Sequence, residues 1–171
     1  MRNQRAKEST EAGISAEQKF YDLCRVIGYE CIRSNDKDNI HNHIDFIVRR
    51  NGEYIGVDVK GLNTAECIWV ELRNVNGKPG WLYGGADYIA FDMVDMKGFA
   101  IVNRLDLYNQ VIAKTKAEFV TKDKALHKLY TREGRHDIIT QMLWNDVFYL
   151  NSFKFYNYAT YSTDFNPPRP N

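Results

Sequence analysis

The chain has 171 residues, 44% of them hydrophobic and 26% charged, which fits one ordinary soluble domain with a usable core. Its 23 basic residues are balanced by 22 acidic ones, and the resulting net charge of +1 speaks against a protein that holds duplex nucleic acid through overall charge, though a local basic face is compatible with it. No apolar run reaches membrane-spanning length, residues 1–8 lack the apolar stretch of a signal peptide, and Cys24, Cys31 and Cys67 are too few and too widely spaced for a disulfide framework or a zinc cluster. A reducing, cytoplasmic setting without membrane association is the expectation.

In chain order, residues 1–13 read as a polar, frayed arm carrying both signs of charge. Ile14 to Gly28 predicts a helix ended by a glycine cap, and Tyr29 to Ser34 predicts a strand. A polar loop follows, Ser34 to Asn39, and then His41-Asn42-His43. That triplet spells the letters of a ββα-metal nuclease without the longer arrangement such enzymes need. Its histidines are expected on a surface loop, the alternative being that one lines a metal pocket and makes activity pH-dependent.

Asp45 to Lys60 is the most informative stretch. Two apolar runs flank Asn51-Gly52, a strong two-residue hairpin signal. Alternation sets Asp58 and Lys60 on one face and Val57 and Val59 on the other. Folding at Asn51-Gly52 carries Asp45 back toward Asp58, so two carboxylates and a lysine meet at one sheet edge. Close carboxylates repel and favour a cation between them, and a hard ion such as Mg2+ takes few protein carboxylates and completes its shell with water and phosphate. Aspartate is depleted in strands, so Asp58 between Val57 and Val59 is costly unless it has a task.

Asp45, twelve intervening residues, and then Asp58-Val59-Lys60 resemble the signature of the PD-(D/E)xK nuclease superfamily, nearest in spacing to its archaeal-type Holliday junction resolvases. The helix and strand upstream and the strand expected over Ala86 to Asp92 fall in the order of that family, so the likeness spans about residues 10–102. Ile44 stands where the family commonly has proline, and Asp58 where glutamate is common. The resemblance implies an α/β fold with a restriction-endonuclease-like core, a central mixed sheet flanked by helices. It implies Mg2+, with Mn2+ able to substitute, held by Asp45, Asp58, the Val59 carbonyl and the helical Glu17, with Lys60 positioning the attacking water.

Farther along, Cys67 to Arg73 predicts a strand that groups Trp69, Glu71 and Arg73. Glu71 is read either as an aid to the metal or substrate, or as half of a cross-strand ion pair. Asn74 to Gly85 reads as a glycine- and proline-rich loop. In it Lys78, Trp81 and Tyr83 suit stacking and phosphate contact, or else the aromatics plug the sheet end. Strands over Ala86–Asp92 and Phe99–Val102 flank a turn at Met96-Lys97-Gly98, and a helix capped by Asn103 runs to Ala113. Lys114 to Arg135 is rich in basic residues, with Arg132 and Arg135 as the phosphate-facing candidates and a solvated face as the alternative. Asp137 to Leu143 fits a last strand or a buried helix equally well.

Residues 14–150 thus form the expected nuclease-like domain, and residues 151–171 an aromatic-rich tail that either packs on the core or pairs two copies of the chain. Arg33 and Ser34 join Lys78, Trp81, Tyr83, Arg132 and Arg135 as the expected nucleic-acid contacts. The expected activity is Mg2+-dependent endonucleolytic hydrolysis of DNA, with branched, Holliday-junction-like DNA as the substrate the resemblance suggests. The alternatives are a catalytically inactive nucleic-acid- or protein-binding module of the same fold, or a virion-associated interaction protein.

Overall fold

The computed structural model describes residues 15–35, 42–64 and 66–163. Within them the chain is an α/β protein built on a six-stranded mixed sheet in the order β1-β2-β3-β5-β6-β10. These strands are β1 (Glu30–Arg33), β2 (Phe46–Arg50), β3 (Glu53–Asn63), β5 (Tyr88–Met93), β6 (Gly98–Asn103) and β10 (Lys154–Asn157). All neighbours are antiparallel except β3 and β5, which run parallel. A parallel pair needs a crossover connection. Here it consists of β4 (Cys67–Arg73), the loop after it and a short 3-10 turn at Trp81–Tyr83.

The hairpin forms where the sequence predicts it. Arg50 pairs with Glu53 across Asn51 and Gly52, whose φ angles of 51° and 85° make a type I′ turn. Helix α1, described over 15–26, lays Ala16, Phe20, Leu23 and Cys24 on one face of the sheet, against Phe46, Val48, Val57, Val59, Ala90 and Phe99. Those helix positions follow i, i+4, i+7, i+8 spacing, and Gly28 just beyond the helix has the positive φ of a C-terminal cap.

The opposite face carries Ile89, Phe91, Met93, Ala100 and Val102, and beside the 3-10 turn, which buries Trp81 and Leu82, three units cover it. One is the antiparallel pair of β4 with β9 (Ile138–Leu143), which turns Ile68, Val70 and Met142 inward. The second is α2 (Arg104–Lys114), burying Leu107 and Val111. Its N-cap Asn103 accepts from the backbone N–H groups of Leu105 and Asp106 at 2.9 and 3.2 Å, as its position predicts. The third is α3 (Trp144–Phe148), contributing Trp144 and Val147.

Asp137 to Leu143 therefore resolves into a strand, because its partner β4 supplies a ladder that periodicity alone cannot reveal. It is not the last strand. The segment read as a tail supplies β10, pairs with β6 and buries Phe155 in the main core, so the described part of that tail packs inward and belongs to the same sheet. Between α2 and β9 the basic stretch folds into β7 (Lys116–Phe119), a 3-10 turn (Lys122–Lys124) and β8 (Lys128–Leu129). The 1–13 arm, residues 36–39 of the polar loop, His41 and residues 164–171 of the tail lie outside the described residues.

Candidate active site

The site grows from the open end of the β2–β3 hairpin. The register pairs Phe46 with Val57, which sets Asp45 opposite Asp58 one step farther on. The Asp45 N–H donates to the Val57 carbonyl at 2.9 Å, and the Val59 N–H donates to Asp45 Oδ2 at 2.7 Å. Asp45 is thus fixed from both sides by β3 backbone. Since Val57 and Val59 point their backbone groups the same way, the Val59 carbonyl also faces the Asp45 side, past the last paired residues of the hairpin.

Asp58 lies on the sheet face opposite α1, beside Ile89 in the parallel register, and is 1% exposed. Lys60, one repeat along, places Nζ 2.6 Å from Asp58 Oδ1 and 5.4 Å from the centre of the Trp81 ring. Neither Asp58 oxygen completes a well-formed hydrogen bond, so Lys60 meets it as an ion pair. Burial pushes the Asp58 carboxyl up to about 7; Lys60 opposes that rise and Asp45 adds to it. A buried carboxylate with an unsatisfied oxygen beside a second carboxylate is an arrangement that a divalent cation completes.

Asp45, Asp58 and the Val59 carbonyl therefore fit a magnesium ion that keeps several of its own waters. Among the described residues no three His, Cys, Asp or Glu side chains converge as a ready-made cage, so such an ion would draw on solvent and substrate oxygens. Glu17 projects from α1 on the other side of the sheet. It pairs with Arg33 at 2.6 Å, and it is absent from the charges that act on Asp58. The Arg33 guanidinium lies 5.0 Å from the Phe46 ring centre, and the Ser34 hydroxyl donates to the Ile44 carbonyl while its N–H holds the Asp45 carbonyl at 2.9 Å. Arg33 and Ser34, expected to touch nucleic acid, shape the loop that presents Asp45.

Two residues that the sequence leaves in the background join the site. His43 is half-buried, not on the surface. Burial and the Lys60 ammonium push its imidazole below its ordinary range, against Asp45 and a hydrogen bond to the Pro79 carbonyl. Lone histidines in polar loops are usually solvated, and nothing local betrays the neighbours that the Lys78–Gly85 segment brings. The second is Asn63, whose side-chain amide donates to the Lys60 and Gly61 carbonyls at 2.8 and 3.2 Å where the β3–β5 register slips. Gly61 inside a strand run was the available signal for that irregularity.

Glu71 closes the far side. Burial raises its carboxyl, Lys60 and Arg132 lower it, and the Trp81 N–H donates to it. Gly80 makes this approach possible, for a Cβ there would sit 2.4 Å from the Glu71 carbonyl oxygen. Trp81 is 7% exposed and packs edge-on to Phe91 with centroids 6.0 Å apart, so it is chiefly the plug of the two earlier readings. Tyr83 is 46% exposed and edge-on to Tyr108, and Lys78 sits exposed at the preceding turn. Arg132 is held by the buried Asp137, and Arg135 stands exposed nearby.

Comparison with family models, with curated proteins and with solved structures finds no match to this chain. Among the described residues no helix is long and apolar enough to cross a membrane. What the site can do rests on its own geometry: two adjoining carboxylates, one lysine at their rim and a polar, half-buried surround.

Proposed function

We propose that the chain is a Mg2+-dependent endonuclease hydrolysing DNA phosphodiesters, with a restriction-endonuclease-like core of the PD-(D/E)xK kind. The observation that carries this reading is the convergence of Asp45, Asp58 and Lys60 at the open end of one hairpin, with the buried Asp58 completing no well-formed hydrogen bond. Magnesium bound there supplies Lewis-acid polarisation of the phosphate and neutralises charge growing on it. Asp45, clamped by the Val59 N–H, holds its carboxylate still. Lys60 orients the attacking water by its ammonium and faces the charge that develops on the phosphoryl oxygens. Trp81 confines the lysine stem and keeps bulk water from that side. His43, neutral at physiological pH, ties the Asp45 loop to Pro79 and so holds the two walls of the site together.

The test is cleavage of a labelled panel (four-way junction, nicked, blunt and single-stranded DNA) in Mg2+, Mn2+ or EDTA, with Asp58→Ala alongside. Metal-dependent cutting that disappears in the variant, with folding intact by melting, is the expected result. The branched substrate is the one to rank first if the resolvase-like spacing extends to function. Full cutting by Asp58→Ala overturns the assignment. The absence of any cutting, together with no metal response, turns the reading to a non-catalytic binding module.

A further inference from the structure

Beside the carboxylate pair the outer face of the β4–β9 sheet forms a cleft of about 560 Å3. The inner residues of β4, Ile68 and Val70, are fully buried, so alternation turns Trp69 and Glu71 outward to line it. Tyr130 forms the adjoining wall. Its backbone exchanges hydrogen bonds with Ile139 at 2.8 and 2.9 Å, and its ring centre lies 6.1 Å from that of Trp69. Lys122 and Arg132 supply the cations. Arg132 is set in place by Asp137, which is fully buried, pairs with its Nε–H and accepts its backbone N–H at 3.1 Å. A guanidinium has five donors, so this anchoring leaves the rest of the fork for another task.

The cleft communicates with the candidate catalytic centre. Trp81 lines it and also lies beneath Lys60. Glu71 feels both Lys60 and Arg132, and so stands between the two. A ligand in the cleft and a phosphate at Lys60 are therefore neighbours along one path.

We propose that this cleft receives an unpaired nucleotide of the DNA strand being cut, its base stacked on the Trp69–Tyr130 wall and its phosphate drawn by Lys122 and Arg132. The proposal rests on the nuclease reading and names the substrate form that reading leaves open. Stacking on side chains needs a base face that pairing and stacking within a duplex conceal, and aromatic-plus-cationic grooves are how single strands are held without sequence readout. The volume suits one compact ligand, within the roughly 300–1,000 Å3 of small-ligand clefts, and does not admit a duplex. A net charge of +1 points the same way, since duplex binders draw most of their affinity from neutralising many phosphates. The ring separation of 6.1 Å leaves no slot between the two aromatics, so the base lies against their open side.

The test is anisotropy of a labelled short single strand and of the same sequence as a hairpin duplex, in EDTA so that nothing is cut. The expected result is single-strand binding about tenfold tighter than duplex binding, weakened about 5- to 100-fold by Trp69→Ala or Tyr130→Ala, the range expected for loss of one stacked base. Lys122→Glu, at an exposed position, should weaken it several-fold without a change in melting, which covers the case in which the aromatic variants fail to fold. Equal or tighter binding of duplex, or single-strand binding unmoved by Trp69→Ala and Lys122→Glu, overturns the proposal. Duplex cutting at an unchanged rate in Trp69→Ala keeps the nuclease and removes the cleft's role. Single-strand binding lost in Trp69→Ala, with no cutting in any metal, keeps the ligand and removes the nuclease.

Discussion

Lys60 reaches its ammonium to within 2.6 Å of Asp58, a carboxylate 1% exposed, while its own side chain remains 26% exposed. The lysine is a lid on a buried carboxyl: Asp58 lies beneath it and Lys60 meets solvent from above. Removing the lid and removing the charge are then unequal changes. Lys60→Ala leaves the buried carboxyl with no cation. Because burial already raises it to about 7, it takes up a proton instead of staying charged, and the loss should be on the order of 1 kcal/mol at pH 7 and grow at higher pH. Asp58→Asn frees an exposed-side lysine and should cost less or stabilise. The double variant should recover part of the Lys60→Ala loss. Urea melts of the four proteins check this, and strict additivity would show that the ion pair carries no coupling.

Asp58 also ties stability to pH. Its folded value near 7 exceeds the unfolded value of 3.8, so the folded state holds the proton more tightly. That contribution is complete below the unfolded value and is lost as pH rises through about 7, on the order of 4 kcal/mol in all. Without metal, the stability of Asp58→Asn relative to the parent should grow from about pH 4 to pH 7 and then level off. Parallel melting-versus-pH curves for the two proteins would remove Asp58 as the titrating group.

In the proposed site magnesium would compete with that proton. Binding requires the ionised carboxylate, so the Mg2+-induced rise in melting temperature should be larger at about pH 8 than at about pH 6, with proton release on binding. Asp58→Asn should abolish the rise. Glu17→Ala should retain most of it, because Glu17 is committed to Arg33 on the α1 side and an exposed pair of that kind contributes about 0–1 kcal/mol. A Glu17→Ala protein deaf to Mg2+ would instead give Glu17 the ligand role that the family resemblance assigns.

Much of the site was legible because it is local. Asn51-Gly52 determines the turn, the turn determines the register, and the register makes Asp45 and Asp58 opposite neighbours. The helix cap at Asn103 and the boundaries of β4 follow from equally short-range rules. What the sequence conceals is long-range. His43 is half-buried only because the segment after Pro79 closes over it, and Trp69 becomes a cleft wall only because Tyr130, sixty-one positions on, folds against it. The tail is the same case: Phe155 and Tyr156 alternate like any strand, but their partner β6 lies more than fifty residues upstream. Pairings of that separation leave no periodic trace at either end.

Another buried carboxylate, far from the hairpin, has a structural task. Asp146 is 6% exposed and receives Lys114 Nζ at 2.5 Å, His127 Nε2 at 2.5 Å and the Leu143 N–H at 3.0 Å, which joins α2, β9 and α3. Burial pushes its carboxyl up, yet Lys114 and His127 outweigh that and hold it below the ordinary range. A depressed folded value means stability present above the unfolded value and lost as pH falls through the folded one. Asp146→Ala should cost about 1–2 kcal/mol, since it removes the acceptor of the Leu143 N–H and leaves a largely exposed lysine and a half-buried histidine without their carboxylate, and should weaken the acid limb of the stability profile. Cutting per folded molecule should be unchanged, which a titration of active enzyme after refolding can measure.

Gly80 gives the sharpest test of how the loop serves the site. Its φ of −78° suits any residue, so backbone strain is not at issue and only space is. A Cβ there meets the Glu71 carbonyl oxygen at 2.4 Å and the Glu71 Cγ at 2.9 Å. Neither β4 nor the Gly80 N–H bond to the Leu72 carbonyl at 3.0 Å can yield without moving the other. Gly80→Ala should therefore cost about 1–3 kcal/mol by overpacking and lift Trp81 away from Lys60 and Glu71. Trp fluorescence should shift toward that of a more solvated indole, and cutting should fall by more than the loss of folded protein explains. Gly77→Ala, in a neighbouring turn where the φ of 79° and not space is the obstacle, is the control: it should destabilise the loop while leaving the indole emission in place. Equal fluorescence shifts in both variants would mean that general loop disorder, and not the Gly80–Glu71 contact, sets the position of Trp81.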